Sequence, residues 1–148
     1  MRALLVLLVV AAAPARAGVE QRIIAATNAQ RLHFGLPVLR EDERLDKAAL
    51  GHSVDMLKRR KLSHDSKLKG LETPAKRAGA AGVRWKRVAE NVAFYRGYRP
   101  EGEQVVDDWM HSPHHRANIV DGELRLIGVG TACAGNDCYV TQLFATER

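Results

Sequence analysis

Aromatic residues are scarce in this chain: two Trp, three Tyr and three Phe make up 5% of it. None interleaves with the densest basic cluster, Lys58-Arg59-Arg60-Lys61, which argues against a stacking platform for single-stranded nucleic acid there. Cysteine is scarcer still. Cys133 and Cys138 stand alone, with no second pair to complete a four-thiolate metal site. Long apolar runs are missing as well: the one near the start, residues 3–13, falls short of the roughly 20 residues needed to cross a bilayer, and no other comes close. Missing too are a nucleophile elbow, a His-Glu-x-x-His pair, and a serine or cysteine set beside a base at a recognisable spacing. Each absence lowers the expectation of an enzyme.

What is present fits one domain. The 148 residues suffice for a single core and are too few for two. Met1-Arg2, the apolar run and Ala15-Arg16-Ala17 after Pro14 have the pattern of a secretory signal peptide over residues 1–17, with an uncleaved N-terminal anchor as the alternative. The mature domain would then be residues 18–148, secreted or periplasmic. Losing Arg2 and Arg16 lowers the formal charge from +6 to +4, a modest basic balance that favours anionic surfaces such as a cell envelope. The densest cluster, Lys58-Arg59-Arg60-Lys61, falls at a predicted helix end, where the dipole favours cations without any partner; an anion patch is the other reading. The turn residues Ala134-Gly135-Asn136-Asp137 separate Cys133 from Cys138, so a hairpin would bring the sulfurs within disulfide reach, in keeping with export; a metal-binding pair is the rival.

Taken in order, residues 19–32 predict a first helix with Val19, Ile23, Ile24 and Leu32 on its apolar stripe and Glu20, Arg22, Gln30 and Arg31 elsewhere around it. Gly35 and Pro37 stop it. Asn28 falls on or beside the buried face, where its amide needs partners. Asp42 or a neighbour caps a second helix to about Arg60, whose apolar face carries Leu45, Ala48, Ala49, His52 and Met56. Thr73-Pro74 opens a short third helix ending at Gly79 or Gly82, and residues 88–95 read as a strand. Pro100 starts a fourth helix striped by Val105, Val106, Trp109 and Met110, with Trp109 as core, and Ser112-Pro113 restarts the chain as a helical turn. Two β-rich runs, 124–132 and 139–144, close the chain, and Gly128 and Gly130 predict a bulge or a close backbone approach. Helices flanking a small, mainly antiparallel sheet make an α+β layered fold.

Candidate functional residues concentrate between Glu90 and Asn118. Glu90 sits between Ala89 and Asn91-Val92: either an exposed strand residue or a partly buried carboxylate that needs a cation, a metal or a donor. Of His114 and His115 only one can face inward, because adjacent helical residues point about 100° apart. Upstream, His52 lies on an apolar face as a core histidine or a site residue, and His64 lies in a loop as a surface histidine, a ligand or an acid/base.

Several segments, in order, resemble the CAP superfamily of cysteine-rich secretory proteins, antigen five and plant pathogenesis-related class-one proteins, and within it the short bacterial SCP-domain members. They include Asn28-Ala29-Gln30-Arg31, His52-Ser53-Val54-Asp55-Met56, Leu62-Ser63-His64, Ala89-Glu90-Asn91-Val92-Ala93, Val106-Asp107-Asp108-Trp109, Ser112-Pro113-His114-His115-Arg116-Ala117-Asn118-Ile119 and Ile127-Gly128-Val129-Gly130. The resemblance implies a three-layer α-β-α sandwich with a central cleft. It assigns His64 and His115 as the cleft histidines and Glu90 as the cleft acid, with His64 and His115 as ligands for zinc or another divalent cation. His114 stands where a glycine is usual, and Ser112 where animal members carry a second cleft Glu, so the four-residue His/Glu arrangement is incomplete. Such a protein is expected to be a monomeric exported binding module for a small ligand, lipid or peptide, associated with the cell envelope and not with nucleic acid. The alternatives are a metal-assisted hydrolase, with Glu90 as general base on zinc-bound water, and a structural envelope protein that uses its basic surface.

Overall fold

A computed structural model describes residues 17–148; residues 1–16, nearly all of the expected signal peptide, lie outside the described residues. The described elements are α1 (Val19–His33), β1 (Arg40–Glu41), α2 (Glu43–Arg59), α3 (Pro74–Ala80), β2 (Trp85–Tyr95), α4 (Gly102–Met110), α5 (Pro113–Ile119), β3 (Leu126–Ala134) and β4 (Asp137–Glu147). The sheet runs β1-β3-β4-β2. β4 is central, antiparallel to β2 from Trp85↔Glu147 to Tyr95↔Cys138 and to β3 from Leu126↔Ala145 to Ala134↔Asp137. Two-residue β1 pairs in parallel with β3 and was not legible in the sequence, because so short a strand carries no periodicity.

Alternation along the strands sorts the layers. Ile127 and Val129 of β3 and Val140 and Phe144 of β4 pack with Ile23, Val105, Val106, Trp109 and Ile119 of α1, α4 and α5. Leu126, Leu143 and Ala145 point the other way, against Leu45 and Ala49 of α2 and Ala78 of α3, while Met56 meets Val92 and Tyr139 farther along the same face. This is the three-layer α-β-α sandwich, its sheet mainly antiparallel.

The two strand glycines explain how α2 lies so close. A Cβ at Gly128 would fall 2.2 Å from the Leu45 carbonyl carbon, and one at Gly130 2.1 Å from the Leu50 nitrogen. The predicted close approach is therefore the correct half of that expectation; the sheet's register shift lies at Trp85/Arg87 on β2.

Asn28 closes a two-way amide bridge to the backbone of Leu39, donating to its oxygen at 3.0 Å and accepting from its nitrogen at 2.8 Å. The stripe on α1 needs correction: Leu32 is 62% exposed, whereas Arg31 is fully buried. Arg31 donates to the carbonyl oxygens of Pro37, Ile119, Asp121 and Leu124. Those four acceptors lie beyond the helix, so helical spacing could not reveal them. Asp42 caps α2 through the Arg44 N–H, and Thr73 caps α3 through the Lys76 N–H, as expected. α4 begins two residues after Pro100, at Gly102, where a Cβ would meet the Arg22 Cβ of α1 at 2.6 Å. Cys133 and Cys138 face each other across the β3–β4 hairpin and form the expected disulfide.

Candidate functional site

Glu90 is the hub. It sits on β2, an edge strand of the sheet, and its side chain is almost wholly buried on the α2/α3 face. A carboxylate there must be compensated, and both oxygens are. The guanidinium of Arg77, from α3, donates to Oε2 at 2.7 Å, and Nδ1 of His64 donates to Oε1 at 2.9 Å. Sequence reasoning named the need for a cation but not Arg77, because nothing in the spacing of Glu90 and α3 announces that they meet.

Arg77 also shapes the loop that carries His64. It donates to the carbonyl oxygens of Leu71 at 3.0 Å and His64 at 2.8 Å, so one buried side chain fixes both the loop and the acid. His52 of α2 supports the same loop from below, with Nε2 2.7 Å from the Ser63 carbonyl oxygen and 3.8 Å from Glu90 Oε1. Because a carbonyl can only accept, Nε2 carries the proton. Burial then pushes the His52 pKa down, so the ring is held neutral. His52 is thus a core histidine by its bonding and a neighbour of the site by its position.

The second wall comes round the free edge of β2 from the opposite layer. Asn91, next to Glu90 and pointing to the other face, donates to the His115 carbonyl at 3.1 Å and to Gln142 Oε1 at 3.0 Å. Asn118 of α5 donates to Asn91 Oδ1 at 2.8 Å and to the Glu90 carbonyl at 3.1 Å. Gln142 in turn donates to Thr27 of α1 at 2.7 Å. This buried amide chain joins α1, β4, β2 and α5, and satisfied networks of this kind fix one arrangement of the elements they connect. It holds the backbone of α5, and so the root of His115, against the strand that carries Glu90. Gln142 and Thr27 went unnoticed in the sequence because each looks like any polar residue in an apolar run.

His115 is partly buried beside Trp109, their ring centroids 6.4 Å apart, while His114 is exposed. Of the adjacent pair, His115 is the one that faces inward. Burial pushes its pKa down, and the charges of His64 and His114 push it further. His64 moves the opposite way, because its bond to Glu90 favours the imidazolium. Its Nδ1 is committed to Glu90, and this leaves Nε2 as the nitrogen for any further partner. The Nδ1 of His115 is buried without a partner.

His64 and His115 are the imidazoles that a divalent cation here would use, and His64 is the one oriented by a carboxylate. Among the described residues no group of three or more His, Cys, Asp or Glu gathers at metal-binding spacing. The described residues therefore do not form the four-ligand set of a closed structural zinc site.

Residues 24–144 match the family model described as the cysteine-rich secretory protein family, CAP. YkwD, an uncharacterised protein of Bacillus subtilis (strain 168), is 35% identical over 117 residues, which make up 79% of this chain and 44% of YkwD. Among solved structures, an extracellular SCP-domain protein from Bacillus anthracis str. Ames is 29% identical with a TM-score of 0.76, over 87% of this chain and 40% of that one. An outer surface protein from Borrelia burgdorferi has the same TM-score of 0.76 at 22% identity, over 86% of this chain and 92% of that one. The chain thus spans less than half the length of the first two proteins and most of the third.

Proposed function

The chain belongs to the cysteine-rich secretory protein (CAP) family, and from that premise we propose that it is an exported binding module whose His/Glu cleft holds a divalent cation and, beside it, a small ligand, lipid or peptide. One observation carries the reading. Both oxygens of Glu90 are bonded, to Arg77 and to His64. A carboxylate so held acts as a fixed charge that orients an imidazole, and is poorly placed to collect a proton from bound water.

His64 and His115 would hold the cation, and the ion would supply an electrophilic centre for a donor atom of the ligand. Burial pushes the His115 pKa down, toward the neutral form that has a lone pair to offer. Export is supported by the basic start and apolar run of residues 1–17 and by the Cys133–Cys138 disulfide, which needs an oxidising compartment.

Zinc titrated by calorimetry at neutral pH tests the cleft. The wild-type protein is expected to bind one ion, and His64→Ala/His115→Ala to weaken that binding about tenfold or more. Equal affinity in the two proteins would overturn the assignment. A zinc-loaded sample incubated with a peptide library separates the rival reading: turnover requiring both zinc and Glu90 would make the protein a hydrolase.

A further inference from the structure

The basic cluster that the cleft does not use ends in a groove of its own. At the end of α2 the chain reverses at Arg60, which has φ 50 and is the one described non-glycine residue with a positive φ. Lys61 N–H returns to the Met56 carbonyl at 3.1 Å, the bond pattern of a helix end that glycine favours. An arginine held in this conformation is strained, and strain of this kind is tolerated where the side chain is needed. Arg60, Lys58 and Leu62 line one side of a groove of ≈ 640 Å³; Phe94 and Arg96 from the end of β2 and Tyr139 from β4 line the other.

The groove carries three cations, Lys58, Arg60 and Arg96, to one acid, Asp137. Arg22, Arg44, Arg59 and Arg87 each pair with a carboxylate. Among the described residues no carboxylate pairs with Lys58, Arg60 or Arg96. Asp137, the acid on the groove wall, accepts the Gly97 N–H at 2.9 Å instead. Arg96 is also oriented. Its guanidinium carbon lies 5.6 Å from the centroid of Phe94, and Phe94 stacks on Tyr139 at 4.5 Å. A guanidinium laid over a ring keeps its N–H fork in its own plane, free to grip an oxyanion with two parallel bonds.

We propose that this groove is a binding site for the phosphate group of an organophosphate. Phosphate offers three oxygens and up to two charges to one planar fork and two further cations, whereas a carboxylate offers two oxygens and one charge. Half-exposed Leu62 and partly buried Phe94 give the organic part of the ligand an apolar surface. Phe94 lies on the same face of β2 as Glu90, four residues along, or about 13 Å away. The site is therefore separate from the His/Glu cleft and stands without it.

Phenyl phosphate titrated into the full domain, followed by calorimetry, tests the proposal. Binding is expected to be at least about tenfold tighter than for benzoate, tighter than for inorganic phosphate, and unchanged in His64→Ala/His115→Ala. Arg96→Lys, which keeps the charge and loses the fork, is expected to weaken it about tenfold. Arg60→Gly is the sharper variant: it relieves the helix end, so the melting temperature rises while phosphate affinity falls, a combination that a structural role for Arg60 does not produce. Unchanged affinity in both variants, or benzoate binding as tightly as phenyl phosphate, would overturn the proposal. Sedimentation with vesicles containing an anionic phospholipid, in the absence of phenyl phosphate binding, would overturn it too, by showing a membrane-facing surface instead of a built phosphate site.

Discussion

Arg77 and Glu90 are each almost wholly enclosed, and neither is stable in its place without the other. Removing one member of a buried pair leaves the other's charge poorly compensated, at a cost of about 3–5 kcal/mol, and the remaining bond from His64 reaches only one oxygen of Glu90. Arg77→Met is therefore expected to lower stability by that amount in urea denaturation, and to loosen residues 64–71 because it also frees the His64 and Leu71 carbonyls. Arg77→Met/Glu90→Gln is expected to lose much less than the two single changes together, the signature of coupling in a double-mutant cycle. Asp46 behaves differently. Burial first, and then the neighbouring Glu41 and Asp42, push its pKa up to about 6, against the pull of its bond from the Val129 N–H. The folded protein thus binds this proton more tightly than the unfolded chain. The stability it contributes is complete below the unfolded value, 3.8, and is lost as pH rises through about 6. Asp46→Asn keeps an acceptor for Val129 and removes the charge. It should raise stability at pH 7.5 by about 1 kcal/mol, a figure discounted for partial exposure, and by only a small part of that at pH 4, as thermal melts at the two pH values would read.

At the level of elements, the contact between α2 and β3 depends on atoms that are absent. Gly130→Ala would drive a methyl group into the backbone of Leu50, and backbone on both sides cannot yield as a side chain can. A loss of about 3 kcal/mol is expected, read from the shift of the denaturation midpoint. Gly51 is the control. It sits in α2 with nothing within 4 Å of its missing Cβ, so Gly51→Ala is expected to stabilise by about 0.5–1 kcal/mol through helix propensity alone. The opposite signs of two Gly→Ala changes, one on β3 and one on α2, would locate the close contact. The reading of Gly128 and Gly130 as a bulge or a close approach was half open in the sequence, and only the helix on the other side resolved it. The α1 stripe shows the reverse case, in which helical spacing put Leu32 inside and Arg31 outside. Four carbonyl acceptors from distant segments made burial of Arg31 favourable, and no window of neighbouring residues contains them.

Across the whole molecule, the disulfide secures one hairpin and not the fold. Cys133 and Cys138 close a loop of only a few residues, so their bond restricts the unfolded chain by about 2 kcal/mol. Reduction is expected to lower the melting temperature by roughly 8 °C while leaving far-UV circular dichroism intact at 25 °C. A protein that unfolds outright on reduction would contradict this. The larger constraint is the amide chain of Thr27, Gln142, Asn91 and Asn118, which crosses from α1 through β4 and β2 to α5 and sets where His115 stands relative to Glu90.

Local pattern alone determined much of this protein: the order of the helices, the capping residues Asp42 and Thr73, the inward face of Trp109 and the cysteine hairpin; the motifs carrying His64, Glu90 and His115 were legible through their resemblance to a family. Periodicity and turn chemistry act between residues a few positions apart, so one chain is enough to read them. Tertiary structure alone decided the rest, including Arg77 as the cation on Glu90, Arg31 as a buried cation, and Arg96 laid over Phe94. In each case the deciding partner arrives from another layer or another element, and the free energy of a buried charge depends on that partner and not on its neighbours along the chain.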